Sequence, residues 1–285
     1  MKRKNIHIFL LFVYTALFFV SCLNNKTVEI AAPHQENRSK DSIYDVFLVA
    51  GQSNTYYGIG LDTAIDKGYP GLYQLGRSEP YNMKVIPATE PLHHYFPKPD
   101  RIGFAMTFVK LYDEYTGYKK NILIIPCGMD WTGFMDSSWK RGDCLYNDAI
   151  YRANEVFKRY PKSKLTAILW CQGERDVENP KFEASLDSMI AGMRKDILTA
   201  TNKTPFIMGG MVPFWVEREE KRMKQQERLK NTPNRMPFVA YVDPYEPFRI
   251  EKRSNTIDEY HYNAEGQREM GKRFFDAYKI LQPGK

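Results

Sequence analysis

The stretch Val46-Phe47-Leu48-Val49-Ala50-Gly51-Gln52-Ser53-Asn54 decides the fold. Its apolar run has no polar alternation, which describes a strand covered on both faces, as inside an α/β sheet. The run ends on Gly51, and Ser53 follows between two carboxamides. Open α/β sheets bind ligands beyond the carboxyl ends of their strands, so Ser53 stands where chemistry is to be sought. A serine there can present its hydroxyl as a nucleophile and use a following helix N-terminus to stabilise charge. Alone, Gly-x-Ser is also the pattern of a turn serine or a helix cap. Thr55 further separates it from the Gly-x-Ser-x-Gly elbow.

Similar apolar runs recur at Ile122-Leu123-Ile124-Ile125, Leu165–Trp170, Phe206-Ile207-Met208 and Phe238–Val242. Between them the spacing predicts helices over Ile102–Tyr115, Asp143–Arg159, Lys181–Thr199, Glu217–Leu229 and Ala264–Ile280, with Asn263 as N-cap of the last. Strands alternating with helices imply a mainly parallel sheet with right-handed crossovers. Residues Thr55–Arg101 break the rhythm. Rich in Gly, Pro, Tyr and His, they are expected to be long loops walling one end of the sheet.

The N-terminus carries a different signal. Lys2, Arg3 and Lys4 precede an apolar stretch, Ile8–Val20, that is short for a membrane span and ends at Ser21-Cys22. This resembles a bacterial lipoprotein signal, which implies residues 1–21 as signal peptide and Cys22 as the acylated first residue of the mature chain. The expected organisation is then a polar tether over 22–42 and a catalytic domain over 43–285. It implies an exported protein, in the periplasm or at the cell surface, with the membrane as partner through Cys22.

Of the formal charge of +7, those three N-terminal cations account for part, leaving an excess of about four on the remainder. That is too little to suggest a nucleic-acid partner. Setting Cys22 aside, the four cysteines leave Cys127, Cys144 and Cys171, of which Cys127 and Cys144 are candidates for a bridge. No Cys-x-x-Cys or His-x-x-x-His spacing is present, so no metal or other cofactor is expected.

Two more polar clusters follow strand-like or precede helix-like segments. Trp170-Cys171-Gln172-Gly173-Glu174 puts a carboxamide at a strand end, where its N–H groups can meet a developing oxyanion; a turn with Glu174 capping a helix is the alternative. Asp258-Glu259-Tyr260-His261 lets a carboxylate orient an imidazole whose other nitrogen faces a serine, although such a pair is also a common surface hydrogen bond. His93 and His94, in the irregular segment, read as loop residues.

Together, the Ser53 stretch, Trp170-x-Gln172-Gly173-Glu174 and Asp258-x-x-His261-x-Asn263-x-x-Gly266 resemble the sialate O-acetylesterase and acetylxylan-esterase branch of the SGNH hydrolases. Leu145-Tyr146-Asn147 with Arg152, the region of Arg194, and Phe206–Gly210 also look family-like. The resemblance implies a three-layer α/β/α, flavodoxin-like fold and a carbohydrate O-acetylesterase acting on an acetylated carbohydrate such as sialic acid or xylan. It implies Ser53 as nucleophile, His261 as base and Asp258 as its orienting carboxylate. The oxyanion would be held by the Ser53 N–H, the Gln172 side chain and the N–H of Trp131. Gln52, Asn54, Thr132, Glu174 and Arg175 would support the site or touch substrate.

One departure stands out. Pro126-Cys127-Gly128-Met129-Asp130-Trp131-Thr132 carries Asp130 and Trp131 where the family has two glycines. A backbone N–H serves whatever its side chain, but the ring would narrow the acyl pocket and Asp130 would repel an oxyanion. Hence a second expectation: a glycan-binding surface lipoprotein on a catalytically weakened esterase fold. A lipase or thioesterase would need an apolar acyl tunnel, which the polar, Tyr-rich Thr55–Arg101 segment does not suggest. Tyr56, Tyr57, Tyr95, Phe96, Trp131 and Trp139 are candidates to stack on sugars, and Arg77, Arg101 and Arg175 to meet an anionic one.

Overall fold

A computed structural model describes residues 42–251 and 258–282. The signal segment, Cys22 and residues 23–41 of the tether lie outside the described residues. The founding run is β1 (Tyr44–Gly51), buried along its whole length. It pairs in parallel with β6 (Asn121–Gly128) on one side and β7 (Lys164–Cys171) on the other. Beyond β7 come β8 (Phe206–Gly209) and β9 (Val239–Val242), also parallel. The expected apolar runs therefore all become strands of one sheet.

The Thr55–Arg101 segment corrects the expectation of loops alone. It contains β3 (Leu72–Leu75), a parallel neighbour of β6, and β4 (Val85–Pro87), antiparallel to β3 at the sheet edge. The seven-stranded order is β4-β3-β6-β1-β7-β8-β9. A separate two-stranded ribbon joins β2 (Gly58–Ile59) to β5 (Arg101–Ile102). These strands are too short to show a period, and the buried polar Gln74 interrupts β3. Pairing with β6, rather than local pattern, makes β3 a strand.

Helices cover both faces. On one side lie α1 (Ala105–Tyr115) and α7 (Ala264–Ile280), where Phe104 stacks on Phe274 at 4.2 Å and Phe47 meets Phe108 and Tyr112 edge-on. Trp170 is in register with Ala50, not Phe47, and so faces the other way. There it packs on Trp139 and Phe134, with Phe182 beyond, beneath α2 (Cys144–Arg159) and α3 (Phe182–Asp196). Each such fully buried ring contributes roughly 2–3 kcal/mol relative to exposure. The expected Glu217–Leu229 helix is observed as α5 (Glu220–Lys230), after a separate turn α4 (Pro213–Val216). A short α6 (Thr232–Arg235) completes the set. Asn263 caps α7 as expected, its side chain accepting from the Gly266 N–H at 2.8 Å.

Cys127, Cys144 and Cys171 are all free thiols. The Cys127–Cys144 bridge is therefore not formed: Cys127 is buried inside β6, where burial pushes its thiol up to about 11, whereas Cys144 is exposed. Arg152 and Arg194 are structural clamps. Arg152 reaches the Gly76 carbonyl and Asn82, and Arg194 reaches the carbonyls of Thr204, Pro237 and Phe238.

Candidate active site

Strand order switches at β1, with β3 and β6 on one side of it and β7, β8 and β9 on the other, and the site lies at its carboxyl end. Gly51 is required there. Its φ is +121°, and a Cβ would lie 2.2 Å from the Cys171 carbonyl oxygen. Beyond it, the Gln52 N–H still pairs with Cys171 O at 2.8 Å, so the strand holds the chain up to the nucleophile position. Ser53 opens a single 3-10 turn, Ser53–Thr55, closed by the Tyr56 N–H on Ser53 O at 2.9 Å. As the first residue of that turn, Ser53 has an N–H with no acceptor inside it.

The motif before α7 comes back over this turn. His261 Nε2 lies 2.8 Å from Ser53 Oγ, and His261 Nδ1 lies 2.7 Å from Asp258 Oδ2. The other Asp258 oxygen accepts the His261 N–H at 3.2 Å. With a carboxylate facing it, Nδ1 carries the proton, which leaves the Nε2 lone pair for the serine hydroxyl. The Tyr57 ring lies 4.5 Å from the imidazole on one side, with Tyr260 edge-on at 5.2 Å.

Asn54 joins the two motifs. Its Nδ2 donates to Glu174 Oε1 at 2.6 Å and to the Tyr260 carbonyl at 2.8 Å, and its Oδ1 accepts from the Tyr262 N–H at 3.2 Å. Burial raises the Glu174 carboxyl above its ordinary range, opposed by this hydrogen bond and by nearby His261. Gln52 Oε1 accepts from the Arg175 N–H at 3.4 Å.

These groups surround a cleft of about 230 Å³, lined by Gln52, Ser53, Trp131, Glu174, Arg175, Trp215, Tyr260 and His261. Trp131 sits in the left-handed region at φ +57°, where a glycine would sit without strain. The residue is 68% exposed, and neither its N–H nor that of Ser53 meets a protein acceptor among the described residues. Asp130 turns away from the cleft toward Tyr56: the Tyr56 hydroxyl lies 3.4 Å from Asp130 Oδ1 and 3.3 Å from the Asp130 N–H. Asp130 is not among the residues that line the cleft.

Gln172 is the principal correction. It is buried and does not line the cleft; its Nε2 donates to Asp176 Oδ2 at 2.7 Å and more weakly to Thr132 O at 3.5 Å. The cause is Asp176, a fully buried carboxylate that also accepts the N–H groups of Phe134 and Met135 and the Asn179 amide. An anion in that position takes the strongest donors in reach. Thr132 is likewise buried, bridging Met129 O and the Trp139 indole. Both residues shape the loop that carries Trp131 without touching the cleft.

Of the candidate cations, only Arg175 lines the cleft; Arg77 is buried against Asp148 and Pro126 O, and Arg101 lies over Tyr57. Tyr56 and Trp139 are core residues, and Tyr56 stacks on His94, whose Nδ1 accepts from the Gly128 N–H. Sequence reasoning missed Trp215, Tyr260 and Asp176. Trp215 follows the carboxyl end of β8 and Tyr260 adjoins His261, so strand-end position held a usable signal for both. Among the described residues, no group of three or more His, Cys, Asp or Glu side chains is arranged to hold a metal ion.

A mainly parallel sheet covered by helices, with a serine, an imidazole and a carboxylate in line beyond its central strand, defines the chain as an SGNH-type hydrolase fold. Over residues 43–280 the sequence matches the family described as carbohydrate esterase, sialic acid-specific acetylesterase, and the chain belongs to that family of esterases. Among solved structures it is similar to NanS, with a TM-score of 0.73 and 20% identity, covering 84% of this chain and 97% of that one. A protein of Arabidopsis thaliana gives a TM-score of 0.66 at 21% identity, covering 86% of this chain and 98% of that one. A carbohydrate acetylesterase from Xanthomonas citri gives 0.60 at 16% identity, covering 85% of this chain and 57% of that one. No curated protein sequence matches this chain.

Proposed function

We propose that this esterase removes acetyl groups from a carbohydrate by a serine acyl-enzyme mechanism. The observation that carries the reading is the unbroken contact Asp258–His261–Ser53 opening on a small cleft. His261 Nε2 takes the Ser53 proton as Oγ bonds to the ester carbonyl carbon, and the carbonyl π electrons move onto oxygen. The N–H groups of Ser53 and Trp131 receive that oxyanion. Collapse breaks the bond to the sugar oxygen, which leaves with the proton held on His261. A water then attacks the acyl-serine carbonyl carbon, giving its proton to His261; collapse breaks the bond to Ser53 Oγ, which takes that proton back from His261 Nε2, and acetate departs. Asp258 holds the imidazole throughout and stabilises its cationic form.

The binding-protein alternative rested on Asp130 and Trp131, and with Asp130 engaged by Tyr56 no observation favours it. The Lys2-Arg3-Lys4 cluster, the apolar Ile8–Val20 stretch and Cys22 support export with lipid anchoring; a Cys22→Ala chain that still takes up labelled fatty acid would refute the anchor. The test of the enzyme is acetate release from acetylated xylan and from O-acetylated sialic acid, by the wild type and by Ser53→Ala. Release abolished by the substitution supports the reading. Release that survives it, or none from the folded wild type, refutes it.

A further inference from the structure

We propose that Trp131 is the specificity-determining residue of this esterase, its ring being the platform on which a pyranose, the alcohol half of the substrate, lies. This rests on the esterase reading above. The first observation is conformational. A bulky residue at φ +57° is an outlier in a region that glycine occupies freely. Strain of this kind persists where the surroundings hold it, and it gathers at functional sites. Here the loop is pinned on both sides: the Met129 N–H bonds Gly51 O at 3.0 Å, and Thr132 Oγ1 bonds Met129 O at 2.7 Å.

The second observation is that packing does not explain the side chain. Trp131 is 68% exposed, so it is no part of the core, yet it lines the cleft that holds Ser53 and His261. It stands edge-on to Tyr260 with ring centroids 6.1 Å apart, and Tyr260 stands edge-on to Trp215 at 6.5 Å. Three aromatic rings thus adjoin along one side of the cleft, and Trp131 is the most exposed of them.

The third observation is size. The cleft measures about 230 Å³, below the roughly 300–1,000 Å³ of pockets that enclose a whole small ligand. A cleft of that size takes the acetyl group, and a glycan must extend beyond it. The sugar then lies across the rim, where Trp131 offers a flat apolar surface to the C–H face of a pyranose.

The test compares kcat/KM for an O-acetylated pyranose with kcat/KM for ethyl acetate, whose alcohol half has no ring. In Trp131→Gly the ratio of the two is expected to fall at least tenfold, while Trp131→Phe keeps it within about threefold. Release of backbone strain is expected to raise the Tm of Trp131→Gly by about 2–4 °C, which separates lost recognition from lost folding. Binding is measured independently by calorimetry with the acetylated pyranose. Ser53→Ala is expected to bind it, and Ser53→Ala with Trp131→Gly to bind at least tenfold more weakly. An unchanged ratio overturns the platform, as does equal binding by the two Ser53→Ala proteins. Failure of turnover in the wild type with the binding difference intact would overturn the esterase reading and leave the platform standing.

Discussion

Asn54 spans His261 without touching it: one amide group binds the Tyr260 carbonyl on one side of the histidine and the Tyr262 N–H on the other. Nucleophile loop and base loop are far apart in sequence, and this side chain sets their separation. Glu174, at 2.6 Å from Asn54 Nδ2, fixes the amide orientation. Replacing Asn54 by alanine is expected to lower kcat on the order of 10²-fold, since misplacement by about 1 Å has that effect. Steady-state kinetics should show KM changing far less. A kcat within threefold of wild type would show that the loops hold their register unaided.

Gln172 separates a structural from a catalytic role. Loss of an oxyanion donor typically lowers kcat on the order of 10²–10³-fold. Because Gln172 Nε2 is committed to Asp176, Gln172→Ala is expected to lower kcat less than tenfold. It should instead destabilise the fold by roughly 1–3 kcal/mol, the effect of leaving a buried polar partner unmade. Urea unfolding and turnover of the same variant decide between the two.

Gly51 makes the sharpest steric prediction. An alanine Cβ would sit 2.2 Å from backbone Cys171 O at a φ of +121°, and backbone cannot swing aside as a flexible side chain can. Gly51→Ala is expected to lose more than about 3 kcal/mol of stability, or not to fold. Circular dichroism on heating reads this directly, and a Tm within 3 °C of wild type would contradict the observed strand end.

Glu90 gives stability a pH dependence. Its carboxylate is buried, accepting the N–H groups of Leu92 and Gly103, and burial pushes it up to about 8 from an ordinary 4.5. The folded state thus keeps a proton that the unfolded chain has released. The stabilisation is full below pH 4.5 and is lost as pH rises from there through about 8, in total on the order of 4 kcal/mol. Glu90→Gln, which cannot titrate, is expected to show a flatter stability profile between pH 5 and 8. Identical slopes for the two proteins in urea unfolding would rule this out.

What the sequence by itself determined is the layered sheet and the three residues, Ser53, His261 and Asp258, that meet at its carboxyl end. Runs such as Val46–Ala50 and Leu165–Trp170 are continuous because both faces of their strands are covered, and that local signature needs no partner to be read. Asn263 was legible as a cap for the same reason, its hydrogen bond being made three residues away. Those three residues were legible because each adjoins an apolar run or a helix start.

Tertiary structure alone decided the rest. Strand β3 exists through pairing with β6, and no period in four residues could announce it. Gln172 and Asp130 read as oxyanion neighbours in one dimension, but their polar atoms are engaged by Asp176, four residues beyond Gln172 and held by the Phe134 and Met135 N–H groups, and by Tyr56 from the loop after β1. The wall of Trp131, Tyr260 and Trp215 is assembled from two loops and the short helix α4. Whom a hydrogen-bonding group or an aromatic ring meets depends on long-range packing, while strand period and capping are settled within a few residues.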